Sequence, residues 1–129
     1  MKINKSNIVN IKNVYIHDDV LNSLKFDRTN KELILKFQKY AIDQEYILRF
    51  ENVIGFEMTA CDFWGSSECV FGFAHLETGE QTLIPKLKER WQKQNQLMED
   101  IKFENFLEII LTFTSGDSLV VACEEFERC

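Results

Sequence analysis

The two histidines, and the carboxylates beside one of them, are the residues best suited to a catalytic or metal site. Asp18 and Asp19 follow His17 directly, and His75 lies far along the chain. Imidazole and carboxylate groups ligate metal ions and transfer protons. In an extended segment His17 and Asp19 would share one side while Asp18 points away, so His17, Asp19 and His75 form one hypothetical metal site. A turn or strand end without chemistry is the competing, preferred interpretation.

The cysteines and serines lack the spacing of known zinc, redox or nucleophile motifs. No C-x-x-C pair occurs, so we expect reduced thiols, with Cys123 buried as a small apolar residue and Cys129 exposed. Cys61 and Cys69 flank one loop, and their approach to each other is left open. Ser66 and Ser67 lack the G-x-S-x-G frame, and phosphate-binding glycine patterns are absent. The favoured prediction has no catalytic residue, no metal and no cofactor, and an enzyme is the minority hypothesis.

Two aromatic residues in a polar segment are the clearest candidates for a binding site. Phe63 and Trp64 are followed by Gly65 and two serines. A loop tryptophan can anchor a partner, because it buries a large area while losing few torsions. It can equally fold back and close the end of a sheet. Both interpretations stay open.

Composition narrows the class of protein and its partners. The chain has 129 residues and a formal net charge of -6, and its basic residues are scattered. Nucleic-acid binding is disfavoured, because phosphate neutralisation requires a basic stripe. An acidic surface suits solubility and also encounter with a basic partner. The polar N-terminus and the lack of a long apolar run predict a cytoplasmic protein outside the membrane.

Alternating apolar residues predict a β-rich fold. The period-two runs are Val20–Phe26, Leu33–Phe37, Tyr46–Phe50, Ile54–Met58, Leu107–Phe113 and Leu119–Cys123. Ser115, Gly116 and Asp117 supply the turn of the last hairpin. Residues 70–76 are apolar on both faces, which predicts a central, covered strand.

A single helix is predicted near 85–101. Pro85 suits a first helical turn, and Leu87, Trp91, Met98 and Ile101 recur at helical spacing, although the polar run 92–96 also allows an earlier end. No repeat or linker divides the chain, so residues 1–129 are predicted to form one domain. The expected class is α+β, with about six or seven mainly antiparallel strands in a curled or sandwich-like sheet and one main helix.

The order of four short segments resembles a known family. The segments are HDD at 17–19, LRFENV at 48–53, FWGS at 63–66 and SGDSL at 115–119. Together they resemble the uncharacterised YxiG-like family of Gram-positive bacteria, and they are similar to immunity proteins encoded beside bacterial toxins. The resemblance implies a cytoplasmic protein that neutralises a cognate toxin by tight binding, and it carries over no catalytic residue.

The leading hypothesis is therefore a non-enzymatic protein-binding domain, with an immunity role against a basic toxin domain. The residues predicted to contact this partner are Phe63, Trp64, Glu68, Glu124 and Glu125. The first alternative is a small metal-dependent enzyme or metal binder that uses His17, Asp19 and His75. A second alternative is a structural subunit whose helix around Trp91 packs on another chain. Oligomeric state is left open.

Overall fold

Strands dominate the computed structural model, which describes residues 1–59, 69–94 and 101–129. The strands are β1 Ile3–Asn4, β2 Val20–Asp27, β3 Glu32–Gln38, β4 Glu45–Glu51, β5 Gly55–Met58, β6 Val70–Leu76, β7 Leu107–Phe113, β8 Ser118–Cys123 and β9 Glu125–Arg128. The helices are α1, Leu83–Lys93, and two 3-10 helices, Lys5–Asn13 and Phe103–Asn105.

The strands form two antiparallel sheets. The five-stranded sheet has the order β1-β9-β4-β3-β2, and the four-stranded sheet has the order β5-β8-β7-β6. The predicted β-rich α+β class is confirmed. The described residues contain more strands than the sequence predicted, because β1 and β9 are too short to show a clear alternation.

Two strand connections carry the chain from one sheet to the other at the same corner. β4 runs into β5, and β8 runs into β9, while β4 pairs with β9 and β5 pairs with β8. The bend between β4 and β5 lies at Asn52, which adopts a φ of 50°. The Asn52 side-chain amide donates a 2.6 Å hydrogen bond to Glu124 Oε1, which fixes the two bends together.

The main core lies between the two sheets. It is formed by the apolar side chains of the predicted period-two runs, which point inward from each sheet. The fully buried members include Leu33, Leu35, Phe37, Leu48, Phe50, Leu107, Ile109, Leu111, Leu119, Val121, Cys123 and Phe126. Phe126 packs against Phe50 from its own sheet and against Phe73 from the other, with ring centroids 5.6 and 5.7 Å apart. Each such side chain contributes roughly 1.5–3 kcal/mol through burial.

The predicted hairpin around Gly116 is confirmed as the β7–β8 connection. Gly116 has a φ of +91°, a left-handed value that an L side chain rarely adopts. The Asp117 amide donates to Ser115 Oγ at 3.2 Å, and the Ser115 hydroxyl donates to Asp117 Oδ2 at 3.1 Å. The polar groups of the turn residues Ser115 and Asp117 thus hydrogen-bond to each other.

Helix α1 forms a third layer on the outer side of the four-stranded sheet. Leu83, Ile84 and Leu87 pack against Val120 and Ala122 of β8. Trp91 lies edge-on to Phe103 within the chain, with ring centroids 5.7 Å apart. The helix begins two residues before the predicted start and ends at Lys93. Met98 lies outside the described residues. In the described part of the chain, no helix has the length and apolar character needed to cross a membrane.

The first turn of α1 is capped by a residue from β7. Glu108 is 0% exposed, and its carboxylate accepts hydrogen bonds from the amides of Thr82, Leu83 and Ile84 at 2.8, 3.1 and 2.7 Å. A helix leaves its first four amides without internal partners. Since Pro85 has no amide hydrogen, Glu108 satisfies every remaining donor of this turn.

The prediction that β6 is a central strand is wrong. β6 lies at the edge of the four-stranded sheet, and Phe71 is 66% exposed. A bulge between Val70 and Gly72 inserts Phe71 as an extra residue, which interrupts the alternation of faces. The apolar run 70–76 therefore reflects the bulge at Phe71, and it does not mark a strand that is covered on both faces.

Candidate functional site: the outer face of the five-stranded sheet

The outer face of the five-stranded sheet, which points away from the core, carries most of the strands' charged side chains. The charged residues are Lys25, Asp27, Glu32, Lys36, Glu45, Arg49, Glu51, Glu125 and Glu127, and Lys2 joins them from the residue before β1. These side chains remain partly exposed. Helix α1 packs on β5 and β8 of the other sheet. The first 3-10 helix contacts β1 and β6, and its Ile8 and Ile11 pack against the main core.

Like charges face each other across neighbouring strands at one end of this face. Glu51 lies opposite Glu125, and Asp27 lies opposite Glu32. Directly opposed like charges destabilise a sheet. Asp27 turns its carboxylate toward the following turn, where it accepts from the amides of Thr29 and Asn30 at 2.9 and 3.1 Å. The Glu51 and Glu125 carboxyl groups instead share a hydrogen bond.

Two cations each lie between two of these carboxylates. Lys2 Nζ is 2.9 Å from Glu51 Oε2 and 3.6 Å from Glu125 Oε1. Arg49 lies between Glu32 and Glu127 at longer distances of 3.6 and 3.9 Å. Arg49 Nε is buried and has no hydrogen-bond partner in the structure. Lys2 and Arg49 thus lie against four of the carboxylates, and of the two cations Lys2 makes the contact of hydrogen-bond length.

The carboxyl pair has opposed pKa shifts. The hydrogen bond from Lys2 lowers the pKa of Glu51 below its ordinary value. The side-chain hydrogen bond to Glu51, followed by burial, raises the pKa of Glu125, and the neighbouring Glu51 charge adds to the rise. The pKa of Lys2 is raised by its bond to Glu51. An added cation at this pair would therefore be attracted to Glu125, whose ion pair with Lys2, at 3.6 Å, is longer than that of Glu51, at 2.9 Å.

Isoleucines interrupt the charges in the middle of the face. Ile34 lies opposite Arg49, and Ile47 lies opposite Lys36, in the ladder between β3 and β4. Both isoleucines are partly exposed. Apolar centres with charged rims are the usual composition of protein–protein contact surfaces. The face can thus offer both burial and charge to a partner.

The predicted partner-contact residues are only partly located by the structure. Glu125 lies in the opposed pair, and Glu124 adjoins it at the corner, where it accepts from Asn52. Phe63, Trp64 and Glu68 lie outside the described residues. The residues outside the described ranges include four acidic residues and no lysine or arginine. The acidic residues are Asp62, Glu68, Glu99 and Asp100. Much of the net negative charge therefore belongs to residues 60–68 and 95–100.

The expected pairing of His17 with Asp19 is wrong. Asp18 adopts a φ of 69°, so the segment is not extended, and His17 Nδ1 lies 3.2 Å from Asp18 Oδ2 instead. Asp19 is 7% exposed, and its carboxylate accepts from the Tyr40 amide at 2.9 Å and from the Tyr46 hydroxyl at 2.6 Å. Asp19 therefore holds two chain segments together.

His75 lies on β6, partly buried. Burial lowers its pKa. Within the described ranges, no three His, Cys, Asp or Glu side chains lie close enough together to hold a metal ion. Cys61, whose approach to Cys69 the sequence left open, lies outside those ranges. Cys123 is fully buried, as predicted, and burial raises its pKa.

Sequence reasoning missed the roles of Asp19 and Glu108. Glu108 had a visible signal, since it is the one charged residue in the apolar run 106–111. An acidic residue inside such a run must be paired when the strand is covered on both faces. Asp19 had no such signal. Its neighbour Asp18 has the same side chain and is exposed, so the sequence does not show which of the two is buried.

Comparison with known proteins found no matching family model, curated protein or solved structure.

Proposed function

We propose that the protein is a non-enzymatic binding protein that docks a basic protein on the outer face of its five-stranded sheet. The opposed pair Glu51 and Glu125 is the observation that carries this proposal. In the free protein Lys2 and a hydrogen bond between the two carboxyl groups relieve their repulsion, and a cationic partner would relieve it further. The resemblance to toxin-immunity proteins suggests a toxin domain as the partner and a cytoplasmic location, and the acidic balance of the chain suggests that this partner is basic.

The composition of the face supports a specific contact. Opposite charges steer association and exclude wrong partners more than they add affinity. Ile34 and Ile47 supply apolar area beside the carboxylates, which charge steering alone does not require. Glu124 and, outside the described residues, Phe63, Trp64 and Glu68 are proposed to extend the contact.

Co-expression with the toxin domain encoded beside this gene tests the proposal. We expect the cells to be protected and the two proteins to purify as a complex. The association rate should fall steeply as salt rises, because steering charges are screened within about 8–10 Å at physiological ionic strength. Unprotected cells, together with no complex at low salt, would reject the proposal.

Variants locate the contact. Glu51→Gln with Glu125→Gln removes charge from the face while it also removes the repulsion, so the fold should be kept. We expect slower association with the toxin domain. Glu57→Gln is the matched control, since Glu57 pairs with Lys86 of α1 on the other sheet. Equal effects of the double variant and the control would move the contact away from this face.

A further inference from the structure

A second surface, separate from the acidic face, is a groove beside helix α1. It lies between one side of α1 and the second 3-10 helix, Phe103–Asn105, and Lys5 of the first 3-10 helix lines it as well. Its volume is about 430 Å³, within the roughly 300–1,000 Å³ of small-molecule sites. Because α1 packs on the four-stranded sheet, the groove is in a different layer from the carboxyl pair Glu51 and Glu125.

The base of the groove is apolar and aromatic. The α1 residues that line it, Ile84, Lys88 and Trp91, follow the spacing i, i+4 and i+7 and so share one side of the helix. Ile84 and Phe106 are 7% and 4% exposed and form the floor. The partly exposed Trp91 and Phe103 form a wall, with ring centroids 5.7 Å apart. Such a base suits a flat ring, which can pack against the floor and the aromatic wall together.

The volume of the groove indicates the size of the ligand. A cavity of roughly 150 Å³ is large enough to hold benzene. At about 430 Å³, the groove has room for two fused rings and a polar substituent.

The lining residues carry more positive than negative charge. Lys5 and Lys88 line the groove together with one carboxylate residue, Glu104. The Lys5 ammonium group donates a hydrogen bond to the backbone carbonyl oxygen of Glu104, which leaves two of its three donors for a ligand. Neither lysine forms an ion pair with a carboxylate of the described residues. The groove therefore complements an anionic group, although the chain as a whole has a net charge of -6.

We infer that this groove binds a small bicyclic aromatic carboxylate. The ring packs on the apolar base between Ile84 and Trp91, and the carboxylate meets Lys5 and Lys88. Burial of the ring supplies affinity, and the two ammonium groups fix the orientation of the ligand, as in other small-molecule sites. This binding does not depend on the docking of a basic protein on the acidic face.

Titration of the isotope-labelled protein with 2-naphthoate tests the inference by NMR. We expect chemical-shift changes centred on residues 78–91 and 101–106, with a Kd on the order of 1 mM. The uncharged 2-naphthamide should bind about two- to fivefold more weakly, as for the loss of exposed ion pairs, and the 2-naphthylmethylammonium cation should bind more weakly still. No shift at several millimolar 2-naphthoate, shifts centred on another surface, or equal affinity for the anion and the cation would overturn the inference.

Variants separate the charged contribution from the aromatic one. Lys5→Gln combined with Lys88→Gln should make 2-naphthoate and 2-naphthamide bind equally. Lys86→Gln is the matched control and should keep the preference for the anion, since Lys86 lies on the same helix but pairs with Glu57 and does not line the groove. Trp91→Leu should weaken both ligands about three- to tenfold through the loss of ring contact. Both substituted lysines are exposed, so a preference for the anion that survives in the double variant rejects the inference even if Trp91→Leu disturbs α1.

Discussion

The amide nitrogen of Ile84 lies 2.7 Å from Glu108 Oε1, so the first turn of α1 is tied directly to the middle of a sheet. Thr82 occupies the N-cap position but makes no side-chain capping bond. The cap is therefore supplied from 24 residues further along the chain. Helix and sheet are joined by this carboxylate as well as by apolar contacts.

We predict that Glu108→Gln destabilises the protein by about 3 kcal/mol, because an amide cannot accept at both of its ends and leaves a buried donor unpaired. Thr82→Ala should cost less than about 1 kcal/mol, since its hydroxyl makes only a 3.4 Å contact with Glu108. Urea unfolding followed by circular dichroism measures both. Equal losses would show that Glu108 is not the cap.

The Tyr46 hydroxyl should contribute more to the free energy of unfolding than the hydroxyl of the exposed Tyr40. Tyr46→Phe leaves Asp19 Oδ2 without its 2.6 Å donor and should cost about 1–3 kcal/mol. Tyr40→Phe is the control and should be near neutral, because Tyr40 binds Asp19 through its backbone amide. In an Asp19→Ala background, the effect of Tyr46→Phe should shrink, and an unchanged effect would contradict the pairing.

The same pair predicts behaviour in alkali. Burial, followed by the bond to Asp19, raises the pKa of Tyr46 above its ordinary value of 10.0. A raised pKa gives a contribution that is complete below the unfolded value and is lost as pH rises. Wild-type stability should therefore decline above pH 10.0 more steeply than that of Tyr46→Phe. Parallel pH profiles from urea unfolding would contradict this.

Lys2→Met should destabilise the protein within a defined pH window. Lys2 lowers the pKa of Glu51 from 4.5, so this part of the stability is present above pH 4.5 and disappears as acid protonates Glu51. The raised pKa of Lys2 makes the same contribution fade above pH 10.5. The difference between the variant and the wild type should be greatest between these limits. Lys88→Met, on the exposed side of α1, is the control and should show no such window.

Gly55→Ala should be destabilising because of Leu87. A Cβ at Gly55 would lie 2.8 and 3.0 Å from the two Leu87 methyl groups, and because these are the far end of a flexible, partly buried side chain that can shift, we expect a loss below about 1 kcal/mol. Gly79→Ala is the control, because nothing lies within 4 Å of the added atom. In a Leu87→Ala background the Gly55 substitution should cost less, and thermal unfolding of the four proteins tests this coupling.

The sequence predicted best where neighbours along the chain decide the structure. The alternation Leu33, Leu35 and Phe37 is reproduced on the inward face, because a period of two has one solution once a core exists. The turn at Gly116 was predictable because it too is determined by neighbours along the chain, Ser115 and Asp117. The edge position of β6 could not be predicted, because a bulge at Phe71 and a fully covered strand give the same run of apolar letters.

The candidate site was less predictable than the fold. Glu125 was identified from the acidic run near the C-terminus, but its opposition to Glu51 depends on the register between β4 and β9. Lys2 reaches the pair only because β1 joins the far side of β9. Such pairings connect residues distant in sequence, and no local pattern encodes them.

The position of β9 between β1 and β4 has a consequence for synthesis. Ile3 pairs with Phe126, so β1 has no strand neighbour until the residues of β9 have left the ribosome. Long-range pairing of this kind slows folding. The nascent chain should hold β2, β3 and β4 as a partial sheet with an uncovered β4 edge, and chaperone contact should persist until β9 closes that edge.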